Sequence, residues 1–148
     1  MSTQDAVLFP FTRVVQRSRV YRFRRCPTCK ASSPQRSMGS RRLRDLGTDR
    51  PVVLDIRYSK HRCPRCRVYF NCPMPDLAEP GSLYTRRVRE IAVAKVLVDL
   101  LPLEQVQQQM LREFHVHVPP TTLYEWVVEA GKKDRSGPRL LARRRAAL

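Results

Sequence analysis

In 148 residues the chain sets 29 Lys and Arg against 13 Asp and Glu, a formal net charge of +16. That length suits one ordinary domain or two small ones, and a balance this basic favours a polyanion partner through counterion release. No stretch approaches ~18 consecutive apolar residues, which excludes a membrane span, and the opening MSTQDAVLFPFTR has no charged region followed by an apolar one, so secretion is not expected. The expected setting is a reducing cytoplasm, where paired cysteines are metal ligands rather than disulfides. All but five of the cations are arginine, whose planar fork suits phosphates and guanine edges.

The chain to about Pro80 reads as β and irregular structure, with prolines scattered through it and little helical periodicity. Arg13 to Arg25 looks extended, with Val15, Tyr21 and Phe23 on one parity. The basic run Ser40–Leu46, containing Arg41 and Arg42, predicts a strand, and Gly47–Arg50 its turn. Val52, Leu54, Ile56 and Tyr58 then alternate with Val53, Asp55, Arg57 and Ser59, the period of a half-buried strand.

Two CPxC knuckles, Cys26-Pro-Thr-Cys29 and Cys63-Pro-Arg-Cys66, enclose these strands, 33 residues apart. Each tight turn points two thiolates at one position, and two such turns complete a tetrahedral four-cysteine site. Hairpin strands account for the long separation. The spacing predicts one structural Zn2+ held by Cys26, Cys29, Cys63 and Cys66, with rubredoxin-type iron as the rival. A full set of four thiolates leaves no open position for a catalytic water. A metal of this kind contributes to folding on the order of 10 kcal/mol, because so small a β-region buries little apolar surface. Cys72 is read as a small buried residue, His61 as a strand residue facing solvent or a phosphate, and His115 and His117 as turn residues without a metal role.

The segment Cys72–Gly81, CPMPDLAEPG, reads as a linker, since it cannot hold a helix or a central strand. Beyond it the period becomes helical. Leu83–Leu101 predicts a first helix, largely buried in its later half. Pro102 opens a second, with Leu103, Val106, Met110 and Phe114 opposite a glutamine-rich face. HVHVP (115–119) breaks the pattern, and a third helix runs from Pro120 to Ala130 with Gly131 as its stop. Leu123, Trp126 and Val127 face inward, which leaves Thr121, Thr122, Tyr124, Glu125 and Lys132 outward. Three helices with a short break before the third fit either a helix-turn-helix or an ordinary three-helix bundle; the basic flanks, including Arg86 and Arg87, favour the DNA-binding form. The expected class is α+β: a zinc-ribbon-like β domain (1–75), a Pro-rich linker (76–82), a helix-turn-helix domain (83–133) and a basic tail (134–148).

Taken in order, the four-cysteine finger around a basic hairpin, the Pro-rich link and the run VHVPPTTLYEW (116–126) resemble the N-terminal region of bacterial insertion-sequence transposases. The resemblance covers roughly residues 13–133. It implies that Cys26, Cys29, Cys63 and Cys66 bind zinc, that Thr121, Thr122, Tyr124 and Glu125 lie on a reading helix with Trp126 in its core, and that the ligand is double-stranded DNA at inverted repeats. Two-fold symmetric repeats suit a homodimer. Pro119 departs from the pattern, standing where a capping Ser or Thr is usual. In that family a DDE catalytic domain with an RNase H-like fold follows; the residues after Gly131 leave no room for one, so this chain is expected to bind DNA near the nucleoid and not to cut it. Residues 1–80 carry net +11 and residues 81–148 net +5, which predicts a two-part grip, strands such as those bearing Arg41 and Arg42 on phosphates and the third helix on bases. The other readings are a stand-alone transcriptional regulator and an RNA-binding zinc ribbon in which Tyr21 and Phe23 stack on bases. An enzyme is disfavoured: acids are sparse and no nucleophile or H-x-x-E motif is present.

Overall fold

A computed structural model describes residues 11–136. Within them the protein is α+β, a five-stranded sheet followed by three helices. The strands are β1 (Arg13–Arg19), β2 (Phe23–Arg25), β3 (Ser32–Asp45), β4 (Val52–Arg62) and β5 (Tyr69–Asn71). The long hairpin of β3 and β4 is its frame, with Asp45 opposite Val52, Leu43 opposite Leu54 and Gly39 opposite Tyr58. Its turn closes at Gly47, where a Cβ would fall 1.9 Å from the Arg50 carbonyl oxygen. β1 lies parallel to β4 along Val52–Tyr58, and β5 extends the same edge antiparallel to Lys60–Arg62. β2 pairs with the start of β3 on the other side.

Period-two alternation sorts the hairpin into two faces. Leu43, Leu54 and Ile56 form one buried cluster, and the supposed linker completes it: Met74 and Ala78 are buried against these residues, with Leu77 beside them. Arg41 fixes that segment by donating from Nη2 to the carbonyls of Glu79 (2.7 Å) and Ser82 (2.6 Å). Residues 72–81 are thus a wall of the sheet's core as well as a connection. Near the knuckles the register slips between Gln35 and Ser37, so Arg36 is an extra residue without a partner on β4, a β-bulge that bends and twists the strand.

The helices are α1 (Arg86–Leu97), α2 (Leu103–Phe114) and α3 (Pro120–Ser136). They surround a second cluster of Tyr84, Val88, Ala92, Val106, Met110, Val116, Val118, Leu123 and Trp126. α1 starts later than its apolar pattern suggests, because Tyr84 is drawn into a β-bridge with Arg44 and Thr85 becomes the N-cap. It also ends sooner, and its far end is not buried: Val98 is exposed and Leu100 is 80% exposed with φ 57. Pro102 caps α2 rather than occupying its first turn. α3 runs through Gly131, which meets no neighbour within 4 Å and so does not stop the helix.

One end of β3 carries the helices. Arg44 and Thr85 exchange backbone contacts with each other's segment, and the Gly47 N–H donates to the Phe114 carbonyl at 2.8 Å. Tyr84 stacks edge-on against Trp126 (5.2 Å) and donates its hydroxyl to the His117 carbonyl at 2.9 Å. Asp45, with no exposed surface, accepts two bonds from the Arg87 guanidinium, one of them from Nε at 2.7 Å, and a third from Thr85 Oγ1 at 2.7 Å.

Candidate metal centre and basic surfaces

Both knuckles fold by the same local rule. In the first, Cys26 N–H donates to the Ala31 carbonyl (2.9 Å) and Lys30 N–H to the Cys26 carbonyl (3.0 Å). In the second, Cys63 N–H donates to Val68 (2.9 Å) and Arg67 N–H to Cys63 (2.9 Å). Each turn is closed by a residue in the left-handed region, Lys30 at φ 63 and Arg67 at φ 59. Backbone N–H groups also aim at sulfur: Thr28 N–H at Cys26 Sγ (3.4 Å) and Cys66 N–H at Cys63 Sγ (3.3 Å).

Sequence-distant as they are, the knuckles meet. The sulfurs of Cys26, Cys29, Cys63 and Cys66 all lie within 4.8 Å of one another, and those of Cys29 and Cys63 are 3.4 Å apart. Four sulfurs at ~2.3 Å from one Zn2+ would stand about 3.8 Å apart at tetrahedral angles, so the cluster has the dimensions of a metal site. Its electrostatics ask for a cation. The Cys63 thiol is pulled down to about 6, chiefly by the N–H of Cys66 on its sulfur and against its burial. Cys26 is lowered for the same kind of reason, led by the N–H of Cys29. Cys66 is pushed up to about 12, first by its thiol hydrogen bond with Cys29 and then by burial. Neighbouring thiols cannot all lose their protons together without a positive charge among them. Among the described residues this is the one His, Cys, Asp and Glu group arranged to hold a metal ion. Cys72 is buried elsewhere, with its N–H on the Ser59 carbonyl at 2.9 Å and its sulfur beside Pro73.

His61 overturns its sequence reading. It is fully buried, not facing solvent or a phosphate: one ring nitrogen lies 2.7 Å from Ser59 Oγ, the other 3.0 Å from the Ser33 carbonyl oxygen, and the ring stacks on Phe70 at 5.5 Å. Ser59 Oγ in turn accepts from the Tyr21 N–H at 3.2 Å. This polar cluster lies on the opposite parity from Leu54 and Ile56, so β4 buries one face in its middle and the other face at its knuckle end.

The residues expected to meet DNA divide into two groups. On α3, Thr121, Tyr124 (60% exposed), Glu125 and Lys132 are exposed, Thr122 is half-buried, and Leu123 and Trp126 are buried. On the sheet and α1 the basic residues are more committed. Arg87 holds Asp45 and Arg41 holds the 79–82 backbone, while burial lowers the pKa of Arg41. Arg86 pairs with Glu90 at 3.2 Å and donates to the Pro75 carbonyl at 3.0 Å. Arg42 is half-buried, its register partner on β4 being Asp55. Sequence reasoning missed Asp45; its signal is a lone acid at the end of the run RRLRD. No helix among the described residues is long and apolar enough to cross a membrane. Set beside known proteins, the chain matches no family profile, no curated protein and no solved structure.

Proposed function

We propose that this chain is a sequence-specific double-stranded DNA-binding protein with one structural Zn2+ in its four-cysteine cluster, that α2 and α3 act as a helix-turn-helix, and that its target is an inverted repeat of transposon-end type. The observation that carries the reading is the exposed stripe of α3. Thr121, Tyr124, Glu125, Val128 and Lys132 follow one another at helical spacing. Leu123 and Trp126 fasten the opposite side to the core. Hydroxyls and Tyr reach phosphates and base edges, Glu accepts from cytosine N4, and Lys132 suits a phosphate. α2 precedes α3 by a five-residue connection whose first residue, His115, takes φ 55, a left-handed cap that ends α2 abruptly. Zinc fits the donor set: four cysteine sulfurs within 4.8 Å of one another, with backbone N–H groups on two of them and no carboxylate in the group. The net charge of +16 supplies the non-specific attraction on which base reading is superimposed.

The test is selection from a random duplex pool by zinc-loaded protein at roughly physiological salt. A defined motif is expected, palindromic or repeated in inverted orientation if a dimer binds. Enrichment of no motif would remove α3 from the reading role. Matching the motif to element ends or to a promoter separates transposon-end recognition from transcriptional regulation. Metal analysis is expected to give one zinc per chain; a coloured, iron-loaded protein would overturn the zinc assignment.

A further inference from the structure

The knuckle end of the sheet displays rings that the fold leaves uncovered. Phe23 is 60% exposed and Tyr69 is 69% exposed. Phe23 stands between two grooves. One, of ≈ 450 Å³, is lined with Arg25, Pro27, Phe70 and Pro73; the other, of ≈ 400 Å³, with Arg22, Pro34 and Arg36. Both fall in the range of about 300–1,000 Å³ common to small-ligand sites. Neither lining includes an acidic side chain. The Phe70 ring is held in place: it stacks on the buried His61, itself fixed by polar partners on both nitrogens. Nearby, the Arg24 guanidinium lies 4.7 Å over the Tyr21 ring and that of Arg62 5.5 Å over the Tyr69 ring.

Flat apolar faces ringed by arginine suit a ligand that offers both aromatic faces and negative charge. A duplex offers the charge but hides its base faces in the stack, whereas a single strand offers both. The geometry points to a second site, separate from α3, that binds a short unpaired stretch of nucleic acid, with bases stacked on Phe23 and Phe70 and phosphates on Arg22, Arg25 and Arg36. The site stands whether or not α3 reads a duplex. The bulge at Arg36 contributes to it by freeing that residue from the ladder.

Charge alone would bind any oligonucleotide, so the test compares bases with no bases. Dye-labelled octamers of dT, of U and of abasic deoxyribose, equal in charge, are titrated with the zinc-loaded full chain at raised salt and read by fluorescence anisotropy. A base-bearing octamer is expected to bind about tenfold or more tightly than the abasic one, as stacking of a few bases requires; the dT and U arms show whether DNA or RNA is preferred. Phe23→Ala, at an exposed position, is expected to erase most of that preference while zinc content and duplex binding stay as in the parent. Phe23→Trp is expected to keep it. Equal affinity for abasic and base-bearing octamers, or an undiminished preference in Phe23→Ala, would overturn the proposal.

Discussion

Removing the Arg87 guanidinium strands a carboxylate. Asp45 has no exposed side-chain surface, whereas Arg87 is 63% exposed, so Arg87→Ala deletes a surface side chain and leaves its buried partner with the Thr85 hydroxyl and the Leu46 N–H but no positive charge. Breaking a buried pair in this way costs ~3–5 kcal/mol, and a hydrogen bond to a charged group is worth ~1.5–3 kcal/mol. Water can follow a truncated side chain into this seam, so the lower figure, about 3 kcal/mol, applies. With a urea slope of about 1.5 kcal/mol/M the midpoint falls by about 2 M, measured at fixed free zinc. The pH dependence has a definite sign. Burial, the largest influence, raises the Asp45 pKa, but the bonds from Arg87 and Thr85 outweigh it and the net shift is downward. In the parent this group's contribution is full above the unfolded value of about 3.9 and is lost as pH falls through the lower folded value. In Arg87→Ala the guanidinium that opposes burial is gone, so the folded value is expected to rise from that of the parent, and protonation relieves the stranded charge. The gap between the two proteins should therefore narrow on acidification toward about pH 4. A double-mutant cycle with Asp45→Asn isolates the pair. A coupling below about 0.5 kcal/mol, the range of an ordinary exposed ion pair, would refute the reasoning.

Three further outcomes are expected. Cys63→Ser should abolish stoichiometric zinc and strip hydrogen-exchange protection from the knuckle end of β3 and β4, while amides in α1 to α3 stay protected; retained zinc would remove Cys63 from the metal set. His61→Ala should lower stability by about 2–4 kcal/mol, because it opens a cavity beside Phe70 and leaves the Ser33 carbonyl and Ser59 hydroxyl short of a partner; a thermal midpoint unchanged from the parent would contradict the burial. Tyr124→Ala should reduce duplex affinity about tenfold with a thermal midpoint within a degree or two of the parent, since the ring is 60% exposed; equal affinity in an electrophoretic shift assay would take the ring off the reading face.

Much of the candidate metal site was legible in advance because knuckle geometry is local: two residues between cysteines dictate the turn wherever the chain then wanders. The hairpin was legible for a similar reason, its turn and alternation lying within a single run. What escaped depends on distant partners. The alternation through β4 marks His61 as outward, since it lies on the parity opposite Leu54 and Ile56, and it takes distant partners such as Phe70, the Ser33 carbonyl and the Tyr21 N–H to make that side an interior. Prolines in 72–81 exclude regular structure but do not say that Met74 and Ala78 will close a core. The run Leu83–Leu101 reads as one helix, largely buried in its later half, yet Tyr84 is claimed by Arg44 on β3 and Leu100 ends in solvent. Arg41 and Arg87 look like surface charge until the backbone and carboxylate they hold are known.

β3 joins the two ends of the molecule. Its first residues pair with β2 beside the knuckles, and its last hold the helices through Arg44 and Asp45. Fourteen extended residues reach at most ~45 Å, and the bend at Arg36 shortens that span, which makes it of the same order as the ~34–36 Å of one duplex turn. Braced by β4 along most of its length, the strand fixes how far apart those two ends stand. If the duplex of the proposed function were gripped at both, five base pairs inserted between the two contacts would carry one of them to the far side of the helix, and a whole turn of insertion would bring it back to the right face at the wrong distance.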